Sequence, residues 1–590
     1  MSANIQFKSY NTGISTIFPI ELEEKIPVSS PVRLINSIVD GLKLDKVIET
    51  YKGGGTTAYH PRVLLKVVFY AYMNNVYSCR RIADLLGRDF HYMWLTGGQT
   101  PSFSTINRFR SEHLKDVVNN LFVQVVMKLV EAGQLSLDVQ YIDGTKIESA
   151  ANRYTFVWRK TTERNRARLE SRIRGILSPI DEGIAQDNSP MEEMAALDSS
   201  TLQNIIDELN ERRDRKEGAS KEEQREAARR IRELEKAREK LAEYEDRQEM
   251  LGDRNSYSKT DTDATFMHMK EDAMRNGQTK PGYNVQISTE NQYITVYDFF
   301  PNPTDTLTLP SYLQTGFDLY GRFPDTVCAD SGYGSEQNYD VMEQMGIEAY
   351  VKYNWFHKEQ HRPFREAAFR QENLFYNAKD DYYVCPMGQH MVHTGRYHAA
   401  NRNGYRSTID KYTAANCEGC PLRCRCFKAK GNRTIHVNHR LNRYKRRARE
   451  LLLSEEGLMH RSRRPIEPEA VFGQIKFNKQ YRRFRHRGLD KVKMDFALLA
   501  MSFNIQKLWR NLTRKTTNAP TGTSDSNYGA YKPVICPDLT KFEEICPCEC
   551  PKTKMAARNK KRTCKSLEWT FDTPPRHFNK EIKYNDKPIS

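Results

Sequence analysis

Two short segments of this chain each end in an aspartate followed by a glycine-bearing turn, and this pairing limits the fold more than any other feature. In LDVQYIDGT the apolar period is two, so Val139, Tyr141 and Asp143 share one face of a strand while Asp138 and Gln140 take the other. Gly144 reads as the end of that strand, with Asp143 at its exit. FPDTVCADSGYG repeats the pattern, a strand that closes on Asp330. Between the two, GYNVQIST (Tyr283, Val285 and Ile287) and QYITVYDFF read as adjacent strands, and TDTLTLPSYLQTGFDLYG reads as a helix with Pro310 near its first turn. SEQNYDVMEQMG predicts a further helix and EAYVKY a fifth strand. A third acid, Glu469, opens a predicted helix in EPEAVFGQIKFNKQ, and MDFALLAMSFNIQKLWRNL follows as an apolar helix.

Acids at strand ends lie at the rim of a sheet, where a crevice can form. Three carboxylates converging there repel one another unless cations neutralise them, and hard oxygen ligands suit Mg2+ or Mn2+. Two such ions about 3.5–4 Å apart activate an attacking oxygen and stabilise a leaving one, which is the chemistry of phosphodiester cleavage and strand transfer. A single aspartate at a strand end is ordinarily a turn or cap residue. The weight here comes from three acids in a fixed order of elements.

Charge points the same way. The 590 residues carry a net charge of +17, with a pI of about 9.2. An excess of this kind bears on partners and favours nucleic acid. RLNRYKRRARE near Arg440–Arg449 and KFNKQYRRFRHRG near Lys476–Arg487, which includes Arg482 and Arg483, interleave arginine with aromatic rings. Arginine forks suit phosphates, and rings pack on sugars or unpaired bases. Residues 30–130 read as helical, and SCRRIADLLGRDFHYMWLTGGQTPSFSTINRFRSEH is similar to a helix-turn-helix whose last helix, opening near Ser102–Ser104, presents Arg108, Arg110 and His113 to DNA. A three-helix bundle with a basic face is the plainer alternative. No run of about 18 apolar residues occurs. The N-terminus, MSANIQFKSYNTG, lacks a cationic stretch followed by an apolar one. The expected location is therefore cytoplasmic.

Two insertions stand out. Residues 159–255 are dense in Glu, Lys and Arg, with Ala227, Ile231, Leu234, Leu241 and Tyr244 on one helical stripe and Leu202, Ile205 and Leu209 on an earlier helix. A helical hairpin, a coiled-coil dimer contact or a solvated helix all fit that pattern. The second insertion, 356–455, is basic and cysteine-bearing. Of twelve cysteines, five lie between Cys385 and Cys426. Cys385 in VCPMG, the Cys417–Cys420 pair and Cys426, with Cys424 as a substitute, have the makings of a closed tetrahedral structural zinc site. Unligated reduced thiols are the alternative. The tail cysteines (Cys536, Cys546, Cys548, Cys550 and Cys564) are spaced too irregularly for a standard knuckle.

The order of elements, together with YIDGTKIESAANRYTFVWRK, TDATFMHMKEDAMRNGQTKPGYNVQIS, ADSGYGSEQNY, YVCPMG with NCEGCPLRCRC, and EAVFGQIKFNKQYRRFRHRGLDKVKMDFALLAMSFNIQKL, resembles the DDE transposases of bacterial insertion sequences over residues 15–512. The resemblance implies a ribonuclease H-like mixed α/β sheet core with a helical N-terminal association domain. It implies that Asp143 bridges both metals while Asp330 and Glu469 hold one each. Glu469 is preferred to Glu467 because Phe472 and Lys476 follow at the family's spacing. Lys476, Arg463 and Arg464 would then meet a terminal phosphate of the transposon end, although His460 stands near the place of the family's usual tyrosine. The implied partners are transposon-end and target DNA, with at least a dimer in the synaptic complex. A decayed, DNA-binding regulator and a nuclease on the same fold remain as alternatives.

The expected division therefore runs from a helical DNA-binding or association domain (1–130) to a weakly ordered tail (513–590). Between them lie three parts of the core (131–158, 256–355 and 456–512) and the insertions at 159–255 and 356–455.

Overall fold

The computed structural model describes residues 22–51, 58–184, 197–215, 220–269, 277–401 and 404–517. The chain divides into two units, Met1–Ser526 and Asn527–Ser590. The second unit lies outside the described residues, and with it the tail cysteines. Of the expected tail, only residues 513–517 are described, and they belong to the last helix, Leu489–Thr517.

The central sheet contains β1 (Val139–Glu148), β2 (Thr279–Glu290), β3 (Tyr293–Phe300), β4 (Thr326–Ala329) and β5 (Glu348–Val351). β1 is antiparallel to β2 and parallel to β4; β3 is antiparallel to β2, and β5 is parallel to β4. The order is β3-β2-β1-β4-β5, with a short strand, Thr265–His268, also on the side of β2 away from β1. Three antiparallel strands followed by two parallel ones, joined by helical crossovers, make a ribonuclease H-like core. Helices Leu309–Tyr320 and Glu336–Gln344 provide the crossovers. With helix His439–Leu453 they bury Tyr141, Ile142, Leu313, Val327, Cys328, Tyr339, Tyr444 and Leu452 together. Each such side chain contributes roughly 1.5–3 kcal/mol on leaving water.

β1 does not stop at Gly144. It stays paired with β2 as far as Glu148 opposite Gly282, so Asp143 lies within the strand and not at its exit. Gly144 serves space instead of a turn, because a Cβ there would collide with the Gln286 and Asp305 side chains beside it. Gly334 plays a similar part after Asp330: a Cβ would run into the Lys352 carbonyl and the Tyr353 backbone.

The helical N-terminal region is fastened to the last helix. Tyr72 and Tyr481 both donate to Asp495, Tyr77 donates to the Lys479 carbonyl at 2.8 Å, and Trp509 donates to the Ser29 carbonyl at 2.7 Å. Within that region Ser102 caps the helix Phe103–Arg108, accepting from the Thr105 amide at 3.2 Å.

The first insertion is a three-helix unit, Arg159–Ile184, Ser199–Arg215 and Lys221–Leu251. Its third helix opens with a reciprocal cap between Ser220 and Glu223 and turns Ile231, Leu234 and Leu241 onto Leu202, Ile205 and Ile206. The apolar stripe is thus covered within the chain. The second insertion holds an unexpected five-stranded antiparallel sheet built from residues 375–437. No helix among the described residues is long and apolar enough to cross a membrane.

Candidate active site

Strand register brings the first two acids together. The last paired rung between β1 and β4 is Tyr141 opposite Cys328. Asp143 and Asp330 each lie two residues beyond it, on the same face, on strands whose spacing is about 4.8 Å. Asp330 also caps the turn Ser331–Tyr333, accepting from the Gly332 amide at 2.6 Å, which fixes its carboxylate at the strand end.

The third acid arrives on a distorted helix. Ser454 caps a helix that begins at Glu455, so Glu469 lies well inside a helical run and does not open one. Pro465 and Pro468 cannot donate to the helical ladder, and the chain widens into π turns at Pro465–Glu469 and again at Gln474–Asn478. These turns separate Glu467 from Glu469. Glu467 is buried and turned away, accepting from the Thr289 hydroxyl at 3.0 Å and the Gln292 amide at 2.6 Å, and burial raises its pKa. Glu469 points to the face where Asp143 and Asp330 meet.

What joins the three is Arg464. Its Nη2 lies 3.6 Å from Asp143 and 3.5 Å from Asp330, and its Nη1 donates to Glu469 at 2.8 Å. The guanidinium side chain is 9 % exposed and Asp143 12 %, against 46 % for Asp330 and 48 % for Glu469, so Asp330 and Glu469 face outward from a buried cation.

Two family models match the chain: one described as a transposase DDE domain, over residues 384–509, and one described as a transposase domain (DUF772), over residues 20–112. Their combination is consistent with a DDE transposase of an insertion sequence. Glu469 falls inside the first match, whereas Asp143 and Asp330 lie outside both. No curated protein and no solved structure matches the chain.

The basic residues singled out from sequence have divergent placements. Arg110 is 4 % exposed and donates to the Tyr72 hydroxyl at 2.7 Å and the Tyr77 carbonyl at 3.2 Å, so it is a core residue and not a surface contact for DNA. Lys476 is likewise buried, at 4 %, and does not stand at the surface. Arg464 is occupied by the acids. Arg483 is exposed, but its guanidinium holds the Ser149 and Ala151 carbonyls at 2.9 and 3.1 Å and so pins the end of β1. Arg108, Arg463 and Arg482 are exposed, Arg108 with Glu112 at 3.9 Å and Arg482 stacked over Phe477.

Further neighbours of the site were not foreseen. Gln286 donates to Asp305 at 2.7 Å and accepts from the Tyr333 hydroxyl, which braces the strand behind Gly144. Lys352, just past β5, is coupled electrostatically to Asp330 and Glu469; burial, then Arg464 and Arg461, hold its pKa below the usual lysine value. Its signal in the sequence was its position near the end of the predicted strand EAYVKY, at the same rim as the acids.

His460 is buried behind the site, with its Nδ1 2.8 Å from the Tyr141 hydroxyl. Burial lowers its pKa, and that of His486, from the usual 6.5. The unfolded chain therefore binds more protons than the fold as pH drops through 6.5, so this contribution to stability is complete above that pH and is lost below it. The thermal midpoint is expected to fall on acidification below pH 6.5. A midpoint that rises there contradicts the reading.

The cysteines of the second insertion are free. Arg433 meets two of them: its amide lies 3.3 Å from Cys417 Sγ, and its Nη1 lies 3.0 Å from Cys426 Sγ. Cys385 and Cys417 pack against the edge of the same apolar cluster, and Cys424 is exposed. Among the described residues no group of three or more His, Cys, Asp or Glu side chains forms a ready ligand set. For the thiols, Arg433 donates to two of the four, and no four-sulfur set is gathered among the described residues. For the acids, all three share one cation, and their hard oxygens are the donor type that Mg2+ or Mn2+ takes.

Proposed function

We propose that the chain cuts DNA at the ends of a mobile element and joins the freed 3′-hydroxyl to target DNA, with Asp143, Asp330 and Glu469 as its catalytic acids. The observation that carries this reading is the gathering of these three carboxylates, from β1, the end of β4 and a distant helix, around the single guanidinium of Arg464. Such a set would hold divalent metal, which when bound would supply activation of the attacking oxygen and stabilisation of the leaving one. The chain's own residues do the rest. The carboxylates would hold that cation at the rim of the sheet, and the exposed Arg108, Arg463 and Arg482 draw in phosphates that the acids alone would repel. Synapsis of two ends calls for at least two copies of the chain.

The test uses the purified full chain and a supercoiled plasmid carrying the DNA that flanks its gene, with any inverted repeats it holds. Nicking at the repeat ends in Mg2+ or Mn2+, stopped by chelator, with joined products on longer incubation, is the expected result. Binding without cutting would make the chain a regulator, and cutting without joining would make it a nuclease.

A further inference from the structure

We infer that Arg464 is a resident counter-cation of the acid trio, which holds the three carboxylates assembled before metal arrives and must give them up when it does. The inference rests on the catalytic reading above and concerns how the same site is loaded.

Three features lead to it. First, carboxylates from three separate elements would repel one another if left alone, and the one cation that touches all three in the described structure is the Arg464 guanidinium, at 2.8, 3.5 and 3.6 Å. Second, only the Glu469 contact is a close charge-assisted hydrogen bond. The two aspartates are held at longer range, so the guanidinium gathers them without saturating them. Third, Arg464 Nε is buried with no hydrogen-bond partner among the described residues. A buried donor left unpaired is costly, which makes this seat a poor final one and the guanidinium displaceable. Its backbone stands at the junction of a regular helix with a π turn, where a small change in winding redirects the side chain.

A cation in that seat competes with any other. Divalent metal must take over the oxygen of Glu469 that Nη1 now holds and must approach against a positive charge. Arg464 is therefore a positioning residue, and its removal should favour metal while harming the metal-free site.

The experiment compares the full-length chain with Arg464→Ala and Arg464→Lys, free of DNA. Mn2+ binding is followed by electron paramagnetic resonance, and thermal midpoints are taken in chelator and in Mn2+. Arg464→Ala is expected to bind Mn2+ about tenfold more tightly, the scale of removing one charge-assisted contact. It is also expected to lose midpoint in chelator and to regain more of it with Mn2+ than the parent does. Arg464→Lys keeps the charge but cannot span three carboxylates, and should fall between the two; it also serves if the alanine variant does not fold. Unchanged or weakened Mn2+ affinity in a folded variant overturns the inference. Asp143→Asn, run alongside, separates the two readings. If it leaves Mn2+ binding of the parent intact, the acid site itself is misassigned. If it removes binding while Arg464→Ala binds no tighter, only the role of Arg464 is lost.

Discussion

Asp143→Asn is expected to abolish DNA cleavage while leaving the fold and DNA binding in place. The substitution keeps size and removes one charge from a side chain that is 12 % exposed beside Asp330. β1 is paired with β2 along its whole second half, so the strand does not depend on the carboxylate for its position. What is lost is the charge of one of the three carboxylates proposed to hold metal. Losing a single preorganised electrostatic contact to a transition state costs about 10²–10³ in rate. An acid that holds metal should cost at least that. Asp330→Asn is expected to behave alike. Initial rates of nicking on end-bearing plasmid, with a gel-shift control for binding, give the measurement. Cleavage at the parent's rate would remove Asp143 from the mechanism.

The second large effect is on stability. Arg110 lies in a buried network with Tyr72, Asp495, Tyr481 and His486, which joins the N-terminal helices to the last helix. Asp495 is 1 % exposed and Arg110 4 %, and the two charges answer each other through the Tyr72 hydroxyl. Arg110→Ala leaves Asp495 buried without its counter-charge, a change that costs about 3–5 kcal/mol. Arg108→Ala, two residues away and exposed, should stay within about 0.5 kcal/mol. Denaturation followed by circular dichroism compares the two. Equal stability of the two variants would contradict the network, and a loss of DNA affinity confined to Arg108→Ala would agree with its surface position.

The sequence carried the core strands well because alternation is local. Val139, Tyr141 and Asp143 fall on one face by counting alone, and the acid that ends TVCAD comes from the same count. The continuation of β1 past Gly144 was hidden because glycine after aspartate reads as a turn, whereas here it makes room for Gln286 and Asp305. The second sheet was missed for a physical reason as well. Its long strand His390–Ala400 is largely exposed, and its small core is supplied by scattered residues such as Tyr383, Met391, Tyr412 and Val437. Arg110 and Arg464 look alike in sequence as members of basic clusters. Their partners, Asp495 in one case and three separated acids in the other, are set by tertiary contacts that no local pattern encodes.

The choice between two neighbouring glutamates offers the most direct test of the site. Glu469→Gln and Glu467→Gln differ by two residues and by the same single atom, yet one carboxylate faces Asp143 and Asp330 across Arg464 while the other is spent on Thr289 and Gln292. Nicking rates of the two variants should be measured on the same end-bearing plasmid at a temperature where both are folded. Loss of cleavage in Glu469→Gln with cleavage retained in Glu467→Gln is the predicted result. The reverse pattern would contradict the assignment of the third acid and, with it, the site as described.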